Sequence, residues 1–202
     1  MSIPGSINPL FLGAAGQSVE SGYLIERSLR FNSADSAYLS RTPASSGNRK
    51  TWTYSFWFKL GSVTGYQYFL SGDDPTGSTF DLLQMDYNAS TIAFMGYSGS
   101  YDWLLSPDVV FRDPSAWQHF VIAFDTTQST ASNRVKWWHN GNQLNLNRSG
   151  YTTYPLLNHE SRINNTVTQR LSDQTYGLNS YLADIHFIDG QALDPTSFGE
   201  FD

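Results

Sequence analysis

The sequence predicts an all-β protein, a sandwich or a barrel, and three observations predict it. Aromatic residues make up 15% of the 202 residues and charged residues only 15%, the balance of pleated, half-buried surfaces rather than of amphipathic helices. Apolar side chains recur at every second position in the longest patterned segments. Between those segments lie clusters of Gly, Pro, Asn and Ser, which turn a chain back on itself.

Taken in order, "SLRF" (28–31) and "AYLSR" (37–41) are short strand candidates. The clearest strand is "TWTYSFWFKL" (51–60), where Trp52, Tyr54, Phe56, Phe58 and Leu60 form one row and can line a core. Burying each such side chain is worth about 1.5–3 kcal/mol. "YQYFLS", "DLLQMDY" and "TIAFMG" follow as weaker strands. "WQHFVIAFD" (117–125) is apolar on both faces and reads as central. In "RVKWWHNGNQLNL" (134–146) a strand runs into Asn140-Gly141, a two-residue hairpin turn in which both residues tolerate positive φ. "RINNTV" (162–167) is a further weak strand. "YLADIHFIDGQALDP" sets Tyr181, Ala183, Ile185 and Phe187 against Leu182, Asp184, His186 and Ile188, closed by Asp189-Gly190. Helical turns are expected at "DPSAW" (113–117) and "DPTSFGE" (194–200), where Asp precedes Pro.

The chain divides into an arm, residues 1–26, and one sandwich domain, residues 27–202. The first nineteen residues carry no charged side chain. A secretory signal needs a basic start and a membrane helix about twenty mostly apolar residues; "MSIPGSINPLFLGAAGQSV" offers neither. Its apolar cluster Ile3, Ile7, Leu10, Phe11 and Leu12, with Pro4 and Pro9 lowering the entropy lost on ordering, reads as a docking strap. A frayed tail is the alternative. The absence of cysteine excludes disulfides and thiolate chemistry and fits folding in a reducing cytosol. A net charge of −6 argues against a nucleic-acid surface.

Four segments, "SLRFNSADSAYLSR", "TWTYSFWFK", "WQHFVIAFDTTQSTASNRVKWWHNGNQL" and "YLADIHFIDGQALDPTSFGE", resemble the laminin-G-like, concanavalin A-like lectin/glucanase jelly rolls. They are most similar to versions carried by virion proteins of tailed bacteriophages, of the marine and cyanobacterial type, where an arm like "IPGSINPLFL" precedes a phrase like "SLRFNSADSAYLSRT". The resemblance covers most of residues 27–200, with 61–110 and 142–175 matching only in strand rhythm. It implies a two-sheet antiparallel jelly-roll sandwich whose first and last strands are neighbours. It further implies a structural protein of the virion, assembled in the host cytoplasm: a capsid decoration or short appendage that holds other capsid or tail proteins by its arm. A tail-fibre-type adhesin for host polysaccharide, a homo-oligomer and a glycan hydrolase are the other readings it opens.

Hydrolase chemistry finds little support in the residues. Glucanases of this kind use paired glutamates on one strand, and here Glu20, Glu26, Glu160 and Glu200 stand apart. No G-x-S-x-G elbow occurs; His119, His139 and His186 lie within strands and His159 in a polar loop. No enzyme activity, cofactor or resident metal is therefore expected, although Asp73 and Asp74 in "SGDDPTG" offer hard oxygen ligands of the kind calcium takes. Tyr87, Tyr97, Tyr101 and Trp103, set among small polar residues in "YNAS" and "MGYSGSYDW", are candidate sugar-stacking residues or, alternatively, aromatics plugging the ends of the core.

Overall fold

The computed structural model describes residues 25–73, 77–86 and 90–199. Where large apolar side chains alternate, the chain pairs into strands: β1 (Leu29–Phe31), β2 (Leu39–Arg41), β3 (Thr51–Leu60), β4 (Gln67–Asp73), β5 (Phe80–Met85), β6 (Ile92–Tyr97), β7 (Tyr101–Leu105), β8 (Gln118–Asp125), β9 (Val135–His139), β10 (Asn142–Gln143), β11 (Thr152–Thr153), β12 (Thr168–Leu171) and β13 (Ser180–Asp189). They form two antiparallel sheets, a six-stranded one in the order β1-β13-β3-β8-β9-β10 and a seven-stranded one in the order β11-β7-β6-β5-β4-β12-β2. The first and last strands are neighbours, as the resemblance implies, with Leu29 opposite Leu182.

The predicted row of β3 is the centre of the core: Trp52, Tyr54, Phe56, Phe58 and Leu60 are each at most 2% exposed. Trp52 stacks on Phe124 of β8 with ring centroids 4.8 Å apart, and meets Phe94 of the opposite sheet edge-on. The two sheets therefore interlock through aromatic rings, whose geometry adds about 0.5–1.5 kcal/mol per pair beyond the area they bury. Asn140 and Gly141 both have positive φ, 47° and 78°, and join β9 to β10 as the twist-matched hairpin turn.

Three expectations are corrected. Asp184 has φ 43° and forms a bulge between the pairs Ala183–Trp57 and His186–Ser55. The extra residue reverses the alternation, so Leu182 is buried on the core side before it, and Ile185 and Phe187 pack on the core after it. Tyr181, placed in one row with Ile185 and Phe187 by the alternation, is instead 37% exposed. Residues 162–167 form no strand: Asn164 has φ 68°, and its side-chain amide donates to Asp189 and to the Asn48 carbonyl. The strand begins only at Thr168. Of the two Asp-Pro turns, Asp194 caps a short 3-10 turn at Pro195–Ser197. Asp113 accepts from both the amide and the hydroxyl of Ser115, a local turn that does not propagate.

Candidate functional site

The seven-stranded sheet turns Leu83, Met85, Ile92, Phe94, Trp103 and Leu105 to the core. By the period of two, the intervening residues stand on the opposite, outer face. There Leu82, Ala93 and Met95 form a second apolar floor, flanked by Tyr68, Phe80, Leu104 and Tyr151. A floor 0–4% exposed on an outer face means that the surrounding side chains rise above it as walls.

The walls are aromatic. On one side Phe80 stacks on Tyr97 at 5.3 Å, and Tyr97 meets Tyr101 edge-on at 5.6 Å. On the other, Tyr68 and Tyr176 lie 5.1 Å apart and Tyr66 closes on Tyr176 at 5.6 Å. A recess of about 370 Å³ lies along this face, lined among others by Tyr68, Phe80, Leu82, Arg170, Asp173 and Tyr176. Its size and its mixture of apolar walls with a few polar groups are those of small-ligand sites.

The backbone fixes both walls. Tyr68 of β4 donates its amide to the Tyr176 carbonyl and accepts the Ser172 amide, while Asp173 Oδ1 caps the amides of Thr175 and Tyr176 at 2.8 and 3.2 Å. Tyr176 is thus held on a loop tied to β4. Burial, with Tyr176 and Asp173 nearby, pushes the Tyr68 hydroxyl well above the usual phenol range, which keeps it a proton donor. At the recess, Arg170 pairs with Asp73, whose carboxylate also accepts from Ser71 at 3.2 Å.

Of the residues singled out by sequence, Tyr97 and Tyr101 stand together on this face, Tyr101 being 55% exposed. Trp103 does not join them. The pairing passes from Gly96–Trp103 to Tyr97–Tyr101 with Asp102 as an extra residue, so Tyr101 points outward and Trp103 inward. Trp103 is fully buried, edge-on to Phe94 at 4.3 Å, so the core reading holds for it. Tyr87, Asp74 and the arm residues Ile3, Pro4, Ile7, Pro9, Leu10, Phe11 and Leu12 lie outside the described residues. Asp73, the other calcium candidate, spends its charge on Arg170. No group of three or more metal-ligating side chains occurs among the described residues. Tyr68, Phe80, Arg170 and Tyr176 were not singled out; the alternation of "YQYFLS" carries the signal for Tyr68, and nothing local marks Tyr176.

A second polar cluster sits at one end of the sandwich. Asp81, fully buried, accepts from Ser161 Oγ at 2.6 Å, the Arg162 amide at 2.7 Å and the Arg162 guanidinium at 3.1 Å. The same guanidinium nitrogen reaches Asp102 at 3.5 Å. Burial pushes the Asp81 carboxyl up, and the Ser161 and Arg162 donors pull it back. Ser161 donates to Asp81 and is itself fully buried, so this serine is not an accessible nucleophile, and Arg162 bridges the two carboxylates. Glu160 is exposed and paired with Arg49 at 2.8 Å. The cluster ties the loop 159–165 to both β5 and the β7 bulge that aims Tyr101.

No protein-family model matches the chain, and no curated protein sequence matches it. Solved structures do. The mouse laminin alpha1 chain, domains LG4-5, superimposes with a TM-score of 0.54 at 13% identity, over 86% of this chain and 44% of that one. The NanB sialidase of Streptococcus pneumoniae, as its K499G mutant, gives 0.54 at 12% identity over 89% of this chain and 28% of that one. The native heptameric SAP-like pentraxin of Limulus polyphemus gives 0.52 at 12% identity over 79% and 72%. This chain thus spans less than half of the laminin and sialidase chains. At such identities the likeness establishes the fold, a laminin-G-like, concanavalin A-like jelly roll.

Proposed function

We propose that this chain is a non-catalytic, lectin-like display module that binds a polysaccharide on the outer face of its seven-stranded sheet. The observation that carries this is the recess lined by the rings of Tyr68, Tyr176 and Phe80 together with Arg170, Asp73 and Asp173, with the aromatic row continuing beyond it from Phe80 to Tyr97 and Tyr101. Pyranose rings present apolar C–H faces that pack on aromatic planes and a rim of hydroxyls that need hydrogen-bond partners. An apolar wall with a few convergent charged groups answers both needs.

Isothermal titration calorimetry and glycan arrays against bacterial envelope polysaccharides test it. Tyr97→Ala and Tyr176→Ala each remove one wall and should weaken binding at least tenfold, about 1.4 kcal/mol, with the melting temperature little changed. Trp103→Ala is no probe of binding, since the ring is in the core. Absence of glycan binding, or binding indifferent to both variants, overturns the reading.

The setting we propose for this module is a virion, as a capsid decoration or short appendage gripped through residues 1–26, with a tail-fibre-type adhesin as the alternative. The sequence resemblance of the arm and of "SLRFNSADSAYLSRT" supports it. Deleting residues 1–22 should leave a folded, soluble domain that no longer enters particles; normal incorporation overturns this part without touching the glycan site.

A further inference from the structure

Strand β9 sends Val135 and Trp137 into the core, so the alternation places Lys136 and Trp138 on the outer face of the six-stranded sheet. Beside them β8 offers Ala123, which stands opposite Lys136 on one side and opposite Thr53 of β3 on the other. Thr53 is roofed by the chain leaving β13: its hydroxyl donates to the Gln191 carbonyl at 2.7 Å and accepts the Leu193 amide at 2.8 Å. Ala123, the smallest side chain of the three, is thus a floor between that crossing segment and the row of Lys136 and Trp138. The turn after β8 closes one end. There Asp125 accepts from Thr127 and Gln128, and the Arg134 guanidinium donates to the carbonyls of Gln128, Ser129 and Pro155. The result is a recess of about 350 Å³, lined among others by Ala123, Asn133, Lys136, Trp138, Leu193 and Asp194, with floor, walls and end all built from described residues.

We propose that this recess is a second carbohydrate site, which takes one neutral pyranose unit with its C–H face against Trp138. The volume falls in the range of small-ligand sites, about 300–1,000 Å³. The half-buried Trp138 indole supplies a rigid apolar plane, and around it stand the two kinds of partner that hydroxyls need. Lys136 and Asn133 bring amine and amide donors. Asp194 brings an acceptor: it holds Thr196 through Oδ1, and its Oδ2 takes a sugar hydroxyl. Charge selects the class of ligand. One cation, Lys136, stands against two carboxylates, Asp125 and Asp194, so a uronate, a sialic acid or a phosphate meets net repulsion, whereas an uncharged sugar uses donors and acceptors alike. The recess on the seven-stranded sheet faces away from the opposite side of the sandwich. With a site on each face, one module bridges two polysaccharide strands or gains avidity on a folded one. The second site stands independently of the first.

The six tryptophans give a site-specific readout. In the full chain labelled with nitrogen-15, the indole N–H signal of Trp138 is identified by its loss in Trp138→Phe. The chain is then titrated with cellotriose, maltotriose, mannotriose and triacetylchitotriose, and with trigalacturonate as the acidic counterpart. At least one neutral trisaccharide should shift the Trp138 signal along a saturable curve. Lys136→Ala and Asp194→Ala should each weaken that curve roughly tenfold or more, while Asp194→Asn, which keeps an acceptor oxygen, should lose less. Melting temperatures measured alongside separate lost binding from lost folding. In Tyr97→Ala/Tyr176→Ala, which strips rings from the other face, the Trp138 curve should persist; if it does so while calorimetry of the first recess shows nothing, only the first site falls. A Trp138 signal indifferent to every neutral probe overturns the proposal. So does a shift produced by trigalacturonate alone, a shift that survives both Lys136→Ala and Asp194→Ala, or one that vanishes in Tyr97→Ala/Tyr176→Ala.

Discussion

Replacing Asp81 should damage both the fold and the proposed binding face, and the structure sets the size of the effect. In Asp81→Ala three donors lose their acceptor at once: Ser161 Oγ, the Arg162 amide and the Arg162 guanidinium. Arg162 is only 17% exposed and keeps one weaker partner, Asp102 at 3.5 Å. Breaking a buried ion pair by removing one member costs about 3–5 kcal/mol, and for a domain of this size each kcal/mol lowers the melting temperature by about 2–4 °C. A fall on the order of 10 °C is expected. Asp81→Asn keeps the shape and one acceptor oxygen but loses the charge, and should fall roughly half as far. Calorimetry and urea titration on the three proteins give the numbers. A loss below about 1 kcal/mol in Asp81→Ala would refute the reasoning, since it would mean that the cluster is solvated. Because Arg162 also anchors Asp102 in the β7 bulge, the same variant should weaken glycan binding through Tyr101, while Asp81→Asn largely preserves it.

Gly96→Ala should cost about 1–3 kcal/mol as an overpacked core, because its Cβ would run into Trp103 Nε1 and lie 2.8 Å from Cε2. Gly96→Ala combined with Trp103→Phe should recover part of that loss, measured by urea midpoint. His119 gives a pH dependence: burial, then His186 and His139, lower its pKa from 6.5 to about 4. A histidine held neutral in the fold contributes stability above its unfolded pKa, and that contribution is lost as pH falls from about 6.5 towards 4. Its slope is at most about 1.4 kcal/mol per pH unit. Urea midpoints at pH 7.5, 5.5 and 4.5 should therefore decline more steeply in the native protein than in His119→Gln; parallel declines would refute the assignment.

The architecture was legible because it rests on period two. The row Trp52, Tyr54, Phe56, Phe58 and Leu60 is uninterrupted, so a single face assignment holds over all of β3, and Asn140-Gly141 states its own turn geometry. Reading failed where one residue is inserted. The bulge at Asp184 reverses the faces of half of β13, and no residue type there announces it. Residues 162–167 alternate well enough to suggest a strand, yet Asp81, 81 positions away, draws the Arg162 amide out of any ladder. Such a contact belongs to tertiary structure and leaves no local trace.

The proposed binding face shows why the site was harder to read than the fold. Tyrosine suits either side of a sheet, since its ring packs like an apolar side chain while its hydroxyl seeks water or a partner. Composition therefore could not separate Tyr54, fully in the core, from Tyr101, 55% exposed. What separates them is register. The extra residue Asp102 sends Tyr101 out and Trp103 in, and it sits there because Arg162, itself held by Asp81, reaches it. The opposite wall depends on Tyr176, from a loop whose place is set by two backbone bonds to Tyr68. Both walls are thus aimed from outside their own segments: one by a buried charge cluster at the sandwich end, the other by the edge of β4. Variants that disturb those supports without touching an aromatic ring should lower affinity as surely as removing the rings does.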